Sequence, residues 1–382
     1  MTELRELGSA SDGCGGALDR PTAQFGGVTA GLDGRSVAID RPVAGLDSRS
    51  AAIDRAVAAL EQDTAGLEVG VGYAPAHHGE LMQGMFTDDS GQLRRALVSL
   101  PQPDRGTRAV FYPSHSHWGV VAAPEFTKVR RAALLALREL STHPASPKGG
   151  QVEIISDVPR GIGMGSSTSD VAATIRAVAD YHGMPLSREE VGRLSVLAEC
   201  ASDSVMIDDR VVLFAHRDGI VLETFAPRLP SMIVIGCDTE PGAKVDTLAL
   251  QPADYCDDEI GAFQVLRGAL RRALATEDVQ LVGRVATASA RINERFLPKP
   301  NLEILLAECL RNGGCGIQVA HSGTVAGMIF DARRPGTQEG VQRSISFIEE
   351  LGLVLTAMIN TESATAGTGT AAVPMADARA NA

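Results

Sequence analysis

Several things that common functions require are missing from this sequence. Positive charge is in deficit: 35 Lys and Arg stand against 47 Asp and Glu, a formal charge of −12. Nucleic acids and anionic membrane surfaces are held by basic footprints, so the balance argues against both as partners. An anionic small substrate would need a locally positive site. No apolar run approaches the ~18 residues of a membrane span. The N-terminus carries Glu3, Arg5 and Glu6 where a secretory signal would have an apolar core. The six cysteines (Cys14, Cys200, Cys237, Cys256, Cys309 and Cys315) form no CxxC pair and lack the spacing of a disulfide framework. A soluble cytoplasmic protein with reduced thiols is expected. What is present is a chain of 382 residues, 44% hydrophobic, long enough for one or two packed domains.

Residues 1–68 differ in composition from the rest. They hold an imperfect repeat, AGLDGRSVAIDRPV from Ala30 and AGLDSRSAAIDRAV from Ala44. Two copies are too few for a solenoid, and the segment is expected to be a disordered extension with a transient helix at 51–61. The Ala-, Thr- and Gly-rich tail, 361–382, is expected to fray. Between them, strands are expected at 69–73, 151–155, 211–214, 220–223, 231–236, 316–321 and 325–330. Ala74-Pro75 should end the first of these in a turn. Helices are expected at 128–140, 167–181, 188–198, 258–275, 278–296, 301–311 and 338–351. Ser187 and Glu190 form a capping box before the third of these helices. The irregular interleaving favours an α+β fold over a regular βαβ array.

The most informative segment is Pro159-Arg160-Gly161-Ile162-Gly163-Met164-Gly165-Ser166-Ser167-Thr168. Glycines at alternate positions let the backbone approach a ligand and turn its N–H groups toward it. Ser166 and Ser167 then open a helix, whose N-terminus offers unsatisfied N–H groups and partial positive charge to a phosphate. The loop lacks the Gly-Lys-Ser/Thr of a Walker A motif, and its glycines run GxGxG rather than GxGxxG. Alone, it is equally what a Ser-capped Gly-rich turn looks like.

Two further stretches accompany it: Ala74-Pro75-Ala76-His77-His78-Gly79-Glu80-Leu81-Met82-Gln83-Gly84, and Gly316-Ile317-Gln318-Val319-Ala320-His321-Ser322-Gly323-Thr324. In order and spacing the three resemble the motifs of the GHMP kinases, over about residues 69–355. Within that superfamily they look most like the PduX-type L-threonine kinases of cobalamin synthesis. His77-His78 depart from the small or Cys residues expected there. The resemblance implies a two-domain fold, with a ribosomal-protein-S5-like N-terminal domain (69–228) binding ATP and a ferredoxin-like C-terminal domain (229–360). It implies Mg²⁺-dependent transfer of the ATP γ-phosphate to a side-chain hydroxyl, foremost that of L-threonine. Another hydroxy-amino acid, or a nucleotide-binding regulator without catalysis, remains open, as does a homodimer.

The resemblance also distributes roles. Residues 159–168 would cradle phosphate, with Arg160 neutralising charge, and Ser167 and Glu199 would hold the metal. Asp203 would be the base or would orient the hydroxyl; otherwise it is a turn residue after a helix. Glu80, His78, His321 and Ser322 would face the substrate. For Glu80, binding turn amides is the structural alternative, and for His321 and Ser322 it is support of the phosphate loop. Three patterns read as decoys. His216-Arg217-Asp218 is a hairpin turn, since Glu223 stands where a protein kinase needs Asn. His115-Ser116-His117 is a polar loop, and Asp208-Asp209 a solvated turn.

Overall fold

The computed structural model describes residues 68–140, 146–243 and 253–362. The extension, its repeat, the expected helix at 51–61 and the tail beyond 362 lie outside them. The described residues belong to one compact unit. Two long strands organise it. β1 (Gly70–Thr87) and β2 (Leu93–Ser114) pair antiparallel along most of their length. Their turn is closed by Asp88, whose Oδ1 accepts from the N–H groups of Ser90 and Gln92. Ala74-Pro75 does not end β1. The strand passes through it with register shifts against β2, which absorb the proline without breaking the ladder. β2 was not expected from its sequence, because prolines and charges interrupt its alternation.

The remaining elements are β3 (Gly119–Val121), α1 (Thr127–Leu140), β4 (Gly149–Ser156), α2 (Ser166–Tyr181), α3 (Arg188–Glu199), β5 (Val211–Ala215), β6 (Ile220–Ala226), β7 (Met232–Asp238), α4 (Asp257–Ala275), α5 (Val279–Asn293), α6 (Leu302–Arg311), β8 (Gly316–Val319), β9 (Val325–Asp331), α7 (Thr337–Glu350) and β10 (Val354–Asn360). The sheet order is β10-β7-β9-β8-β1-β2-β4-β3, with the β5–β6 hairpin attached to β2. β8 meets β1 at a single registered pair, Glu80 with Val319. The first and third sequence motifs therefore touch where the two halves of the sheet join.

Helix faces follow their periodicity. Val171, Ile175 and Val178 of α2 are fully buried in one apolar cluster with Val129, Ala133 and Leu137 of α1. The capping box before α3 forms on both sides: Ser187 accepts from the Glu190 N–H, and the Glu190 carboxylate accepts from the Ser187 N–H. β10 was missed. It is an edge strand pinned past its end by Thr361, whose Oγ1 accepts from the Met232 N–H at 2.8 Å. The fraying expected from residue 361 therefore does not begin there.

Candidate active site

Besides the register shift between Pro75 and Ala76, β1 has two more, between His77 and Glu80 and between Glu80 and Met82. Such bulges break strict alternation and re-aim side chains. His77 and Glu80 line a cleft of about 450 Å³. His78 points elsewhere. Its Nδ1 accepts from Gln318 Nε2 and its Nε2 donates to Thr356 Oγ1, each at 2.8 Å. It fills the space beside Gly236, where a Cβ would lie 2.1 Å from its ring. Burial above all, and the neighbouring His77, push its pKa down to about 3. His78 was expected on the substrate side. The structure makes it a neutral strut between β1, β8 and β10, and places His77 in the cleft.

The glycine loop forms another part of the cleft wall. Gly161, Gly163 and Gly165 all have positive φ. Gly165 is the N-cap of α2, and no side chain caps that helix end. The intervening side chains anchor the loop: Ile162 and Met164 pack with Ala76, Val158, Ala320 and Val325. Arg160 is turned away from the cleft. Its Nη2 donates to Asp170 at 2.9 Å and its guanidinium lies 4.6 Å from the Phe126 ring centre. Arg160 and Ile162 thus hold the loop from outside and Pro159 does not line the cleft, while Gly161, Gly163 and residues 164–168 face it. The third motif braces it, since Ile162 O accepts from the N–H groups of Thr324 and Val325. His321 and Ser322 also reach the cleft, and His321 Nδ1 donates to Gln83 Oε1 at 2.8 Å.

Three carboxylates enter the same space. Ser167 Oγ donates to Glu199 Oε2 at 2.7 Å and Thr168 Oγ1 to Glu199 Oε1 at 2.9 Å. Lys128 Nζ donates to Ser167 Oγ at 2.9 Å and lies 3.5 Å from Glu199. Burial raises the Glu199 pKa, and Lys128 opposes the rise. Asp203 follows α3. Its N–H donates to Thr168 Oγ1, and the neighbouring Ser202 N–H to His216 O. Its Oδ2 accepts from His77 Nε2 at 2.9 Å. His77 Nδ1 lies 3.7 Å from Glu80 Oε1. Burial opposes charge on His77, but Asp203 and then Glu80 outweigh it and raise the imidazole to about 9. Burial would raise the Asp203 pKa too; His77 overrides it and holds the carboxyl well below its usual range. Burial pushes Glu80 up to about 8, and its Oε2 accepts from the His321 N–H. Glu80 therefore binds a turn amide of the third motif.

Sequence reasoning gave no role to several groups in this cleft: His77 and the His216–Arg217 turn, which it had singled out, and Lys128, Arg95, Tyr255 and Lys299, which it had not. The turn is a hairpin turn as read, with Asp218 and Gly219 N–H groups donating to Ala215 O. Yet it carries His216 against the His321 ring, 4.7 Å between centres. Asp208 and Asp209 are engaged by Arg176, Arg188 and Arg210, and His117 stays in an exposed polar loop.

Residues 127–213 match the family described as the GHMP kinases N terminal domain, and residues 270–347 the GHMP kinases C terminal family. The chain belongs to the GHMP kinases. The first matched segment of this GHMP kinase holds the loop, Glu199 and Asp203; the second holds Lys299, His321 and Ser322. An L-threonine kinase of Citrobacter freundii is 28% identical over 282 residues, which span 69% of this chain and 87% of that protein. An L-threonine kinase of Salmonella typhimurium is 27% identical over 273 residues, 70% of this chain and 85% of its own length. Among solved structures, a homoserine kinase from Cytophaga hutchinsonii superposes with a TM-score of 0.56 at 16% identity, covering 78% of this chain and 96% of its own. That superposition speaks to the fold: the GHMP kinase α+β architecture.

Proposed function

We propose that the protein transfers the γ-phosphate of ATP to the side-chain hydroxyl of a small hydroxy-amino acid, with L-threonine the first candidate. One observation carries this reading: an uncapped helix N-terminus behind a Gly-rich loop opens into the same cleft as the Asp203 carboxylate. Anions bind at such helix ends, and phosphoryl transfer requires mainly positioning and charge neutralisation around them. The two L-threonine kinases, matched over most of their length, support the choice of acceptor. The division into an ATP-binding part (69–228) and a second part (229–360) is proposed on the same basis.

In this reading the N–H groups of residues 166–168 cradle phosphate. Ser167 Oγ, Thr168 Oγ1 and the Glu199 carboxylate are hard oxygen donors of the kind Mg²⁺ takes, and Lys128 shows that positive charge is accommodated beside them. Ser167 and Glu199 would hold the ion, which neutralises phosphate charge. Asp203, kept anionic by His77, accepts the hydroxyl proton or orients the hydroxyl. The purified protein is expected to release ADP only with L-threonine and Mg²⁺ both present, and to form O-phospho-L-threonine by mass spectrometry. Turnover of a different alcohol would replace the acceptor and keep the class; nucleotide binding with no turnover across a panel of hydroxy-amino acids would refute the enzyme reading.

A pH profile tests the His77–Asp203 pair. The raised folded pKa of His77 means its ion pair stabilises fully below the ordinary value of 6.5 and is lost as pH rises through about 9. Removing that cation raises the Asp203 pKa. In His77→Asn the acid limb of kcat/KM should move upward by about one to three units. Coincident acid limbs in variant and wild type would show that His77 does not set the charge of Asp203.

A further inference from the structure

Beside the loop and the Asp203 group, the cleft is lined by three cations without carboxylate partners among the described residues. Lys299 is 4% exposed. Its Nζ donates only to Leu297 O, at 2.9 Å, inside a wall that includes Tyr255 and Phe296. Burial lowers the pKa of this amine to about 8, although Glu294 and Glu80 pull the other way. Arg95 donates to Ala253 O, and its guanidinium lies 5.7 Å from the Tyr255 ring centre. Arg217 is exposed at the tip of the β5–β6 hairpin and makes no side-chain hydrogen bond or ion pair among the described residues.

Two of the acids lining the cleft are engaged by cations, and the third, Glu80, is hydrogen-bonded through one oxygen only. Asp203 holds His77, Glu199 holds Lys128 with Ser167 and Thr168, and Glu80 holds the His321 N–H beside His77. His216, 3% exposed, leaves both ring nitrogens without a partner. A buried ammonium such as that of Lys299 is costly without a counter-ion, and a protein with net charge −12 gains nothing from keeping two guanidinium groups beside it unless a ligand completes the set. The missing partner is an anion. Nucleotide phosphates have their own cradle at the N-terminus of α2, with Lys128 beside it.

We propose that Lys299, in the field of Arg95 and Arg217, anchors the carboxylate of the acceptor, so that the cleft selects hydroxy acids over the corresponding amides, which lack that carboxylate. This rests on the reading of the cleft as an acceptor site and specifies which group of the acceptor it reads. The carboxylate, rather than the ammonium, is the recognised end, because three cations line the cleft without carboxylate partners among the described residues, whereas Glu80 Oε1, an acid oxygen without a hydrogen bond, is fully buried 3.7 Å from His77 Nδ1. Anchoring one end of the acceptor fixes where its hydroxyl lies relative to Asp203.

The test compares L-threonine with L-threoninamide in the wild type, Lys299→Met and Arg217→Gln. The wild type should favour the acid. In Lys299→Met the KM for L-threonine should rise about 10- to 100-fold, the acid-to-amide preference should fall by the same factor, and the KM for MgATP should change less than threefold. Arg217→Gln, an exposed site that carries no packing, should shift the same ratio in the same direction by a smaller factor. An unchanged ratio in both variants, or no acid preference in the wild type, would overturn the proposal. So would a KM for MgATP that rises as much as that for L-threonine. If the wild type phosphorylates no hydroxy-amino acid, the acceptor assignment fails separately. Calorimetric titration of hydroxy acids and their amides, with a non-hydrolysable ATP analogue present, then decides the anchor. An acid preference lost in Lys299→Met upholds it, and equal affinities refute it.

Discussion

Asp203→Asn is expected to lower kcat by about 10²–10⁴-fold while the affinity for MgATP stays within threefold of wild type. The amide keeps the size of the side chain but cannot take a proton. It also removes the anion that Nε2 of His77 meets at 2.9 Å. The imidazole then faces burial, which lowers its pKa, with only Glu80 left to oppose it, so the charge on both members of the pair is reduced at once. Nucleotide affinity should survive, because the loop is braced by Ile162, Met164 and the Thr324 and Val325 amides. Steady-state kinetics with calorimetric binding of a non-hydrolysable ATP analogue measures both. A loss below tenfold would assign Asp203 to orienting the hydroxyl; wild-type turnover would remove it from the chemistry.

Gly165→Ala should reduce kcat/KM for MgATP by about 100-fold, through a single methyl group. Gly165 sits at φ 73°, ψ 21°, where a side chain is strained. Space is the larger problem. A Cβ there would lie 2.2 Å from Cδ2 and 2.6 Å from Nε2 of His77. The ring cannot yield freely, since its side chain is 3% exposed and bonded to Asp203. The methyl therefore displaces both the start of α2 and the His77–Asp203 pair. Gly91→Ala is the control. It has the same left-handed strain at φ 84° in the β1–β2 turn, with nothing within 4 Å of the added Cβ. Kinetics of the two variants separate strain from collision. Equal, small losses in both would mean that His77 accommodates the methyl and that the close approach has no catalytic consequence.

Much of the fold was legible because its signals are local. Within the described residues each of the expected helices forms, although 278–296 shortens to Val279–Asn293, and the Ser187–Glu190 capping box appears as read. Caps and 3.6-residue periodicity involve residues one or two turns apart, so they survive any tertiary context. The long strand β2 was not legible. Its prolines and charges obscure alternation, and only its partners β1 and β4 make it a strand. The cleft divides in the same way. The glycine loop and its serines are contiguous and were found together. Arg95, Arg217 and Lys299 come from three distant places, and no spacing links them.

By itself the sequence determined the Gly-rich loop opening a helix, the order of three motifs that marks a GHMP kinase, and an acidic composition that made any anion site a local matter. Those are contiguous patterns or totals, and they do not depend on where the chain turns. Tertiary structure decided which histidine serves the cleft. Adjacent on β1, His77 turns to Asp203 and His78 into the packing against Gly236. It decided that Glu80 binds the His321 amide and that Arg160 faces away from the cleft. It also gathered three cations without carboxylate partners among the described residues into one cleft of a protein with net charge −12. A side chain's chemistry is written in the sequence, but its direction and neighbours follow from register and packing, which only the closed sheet supplies.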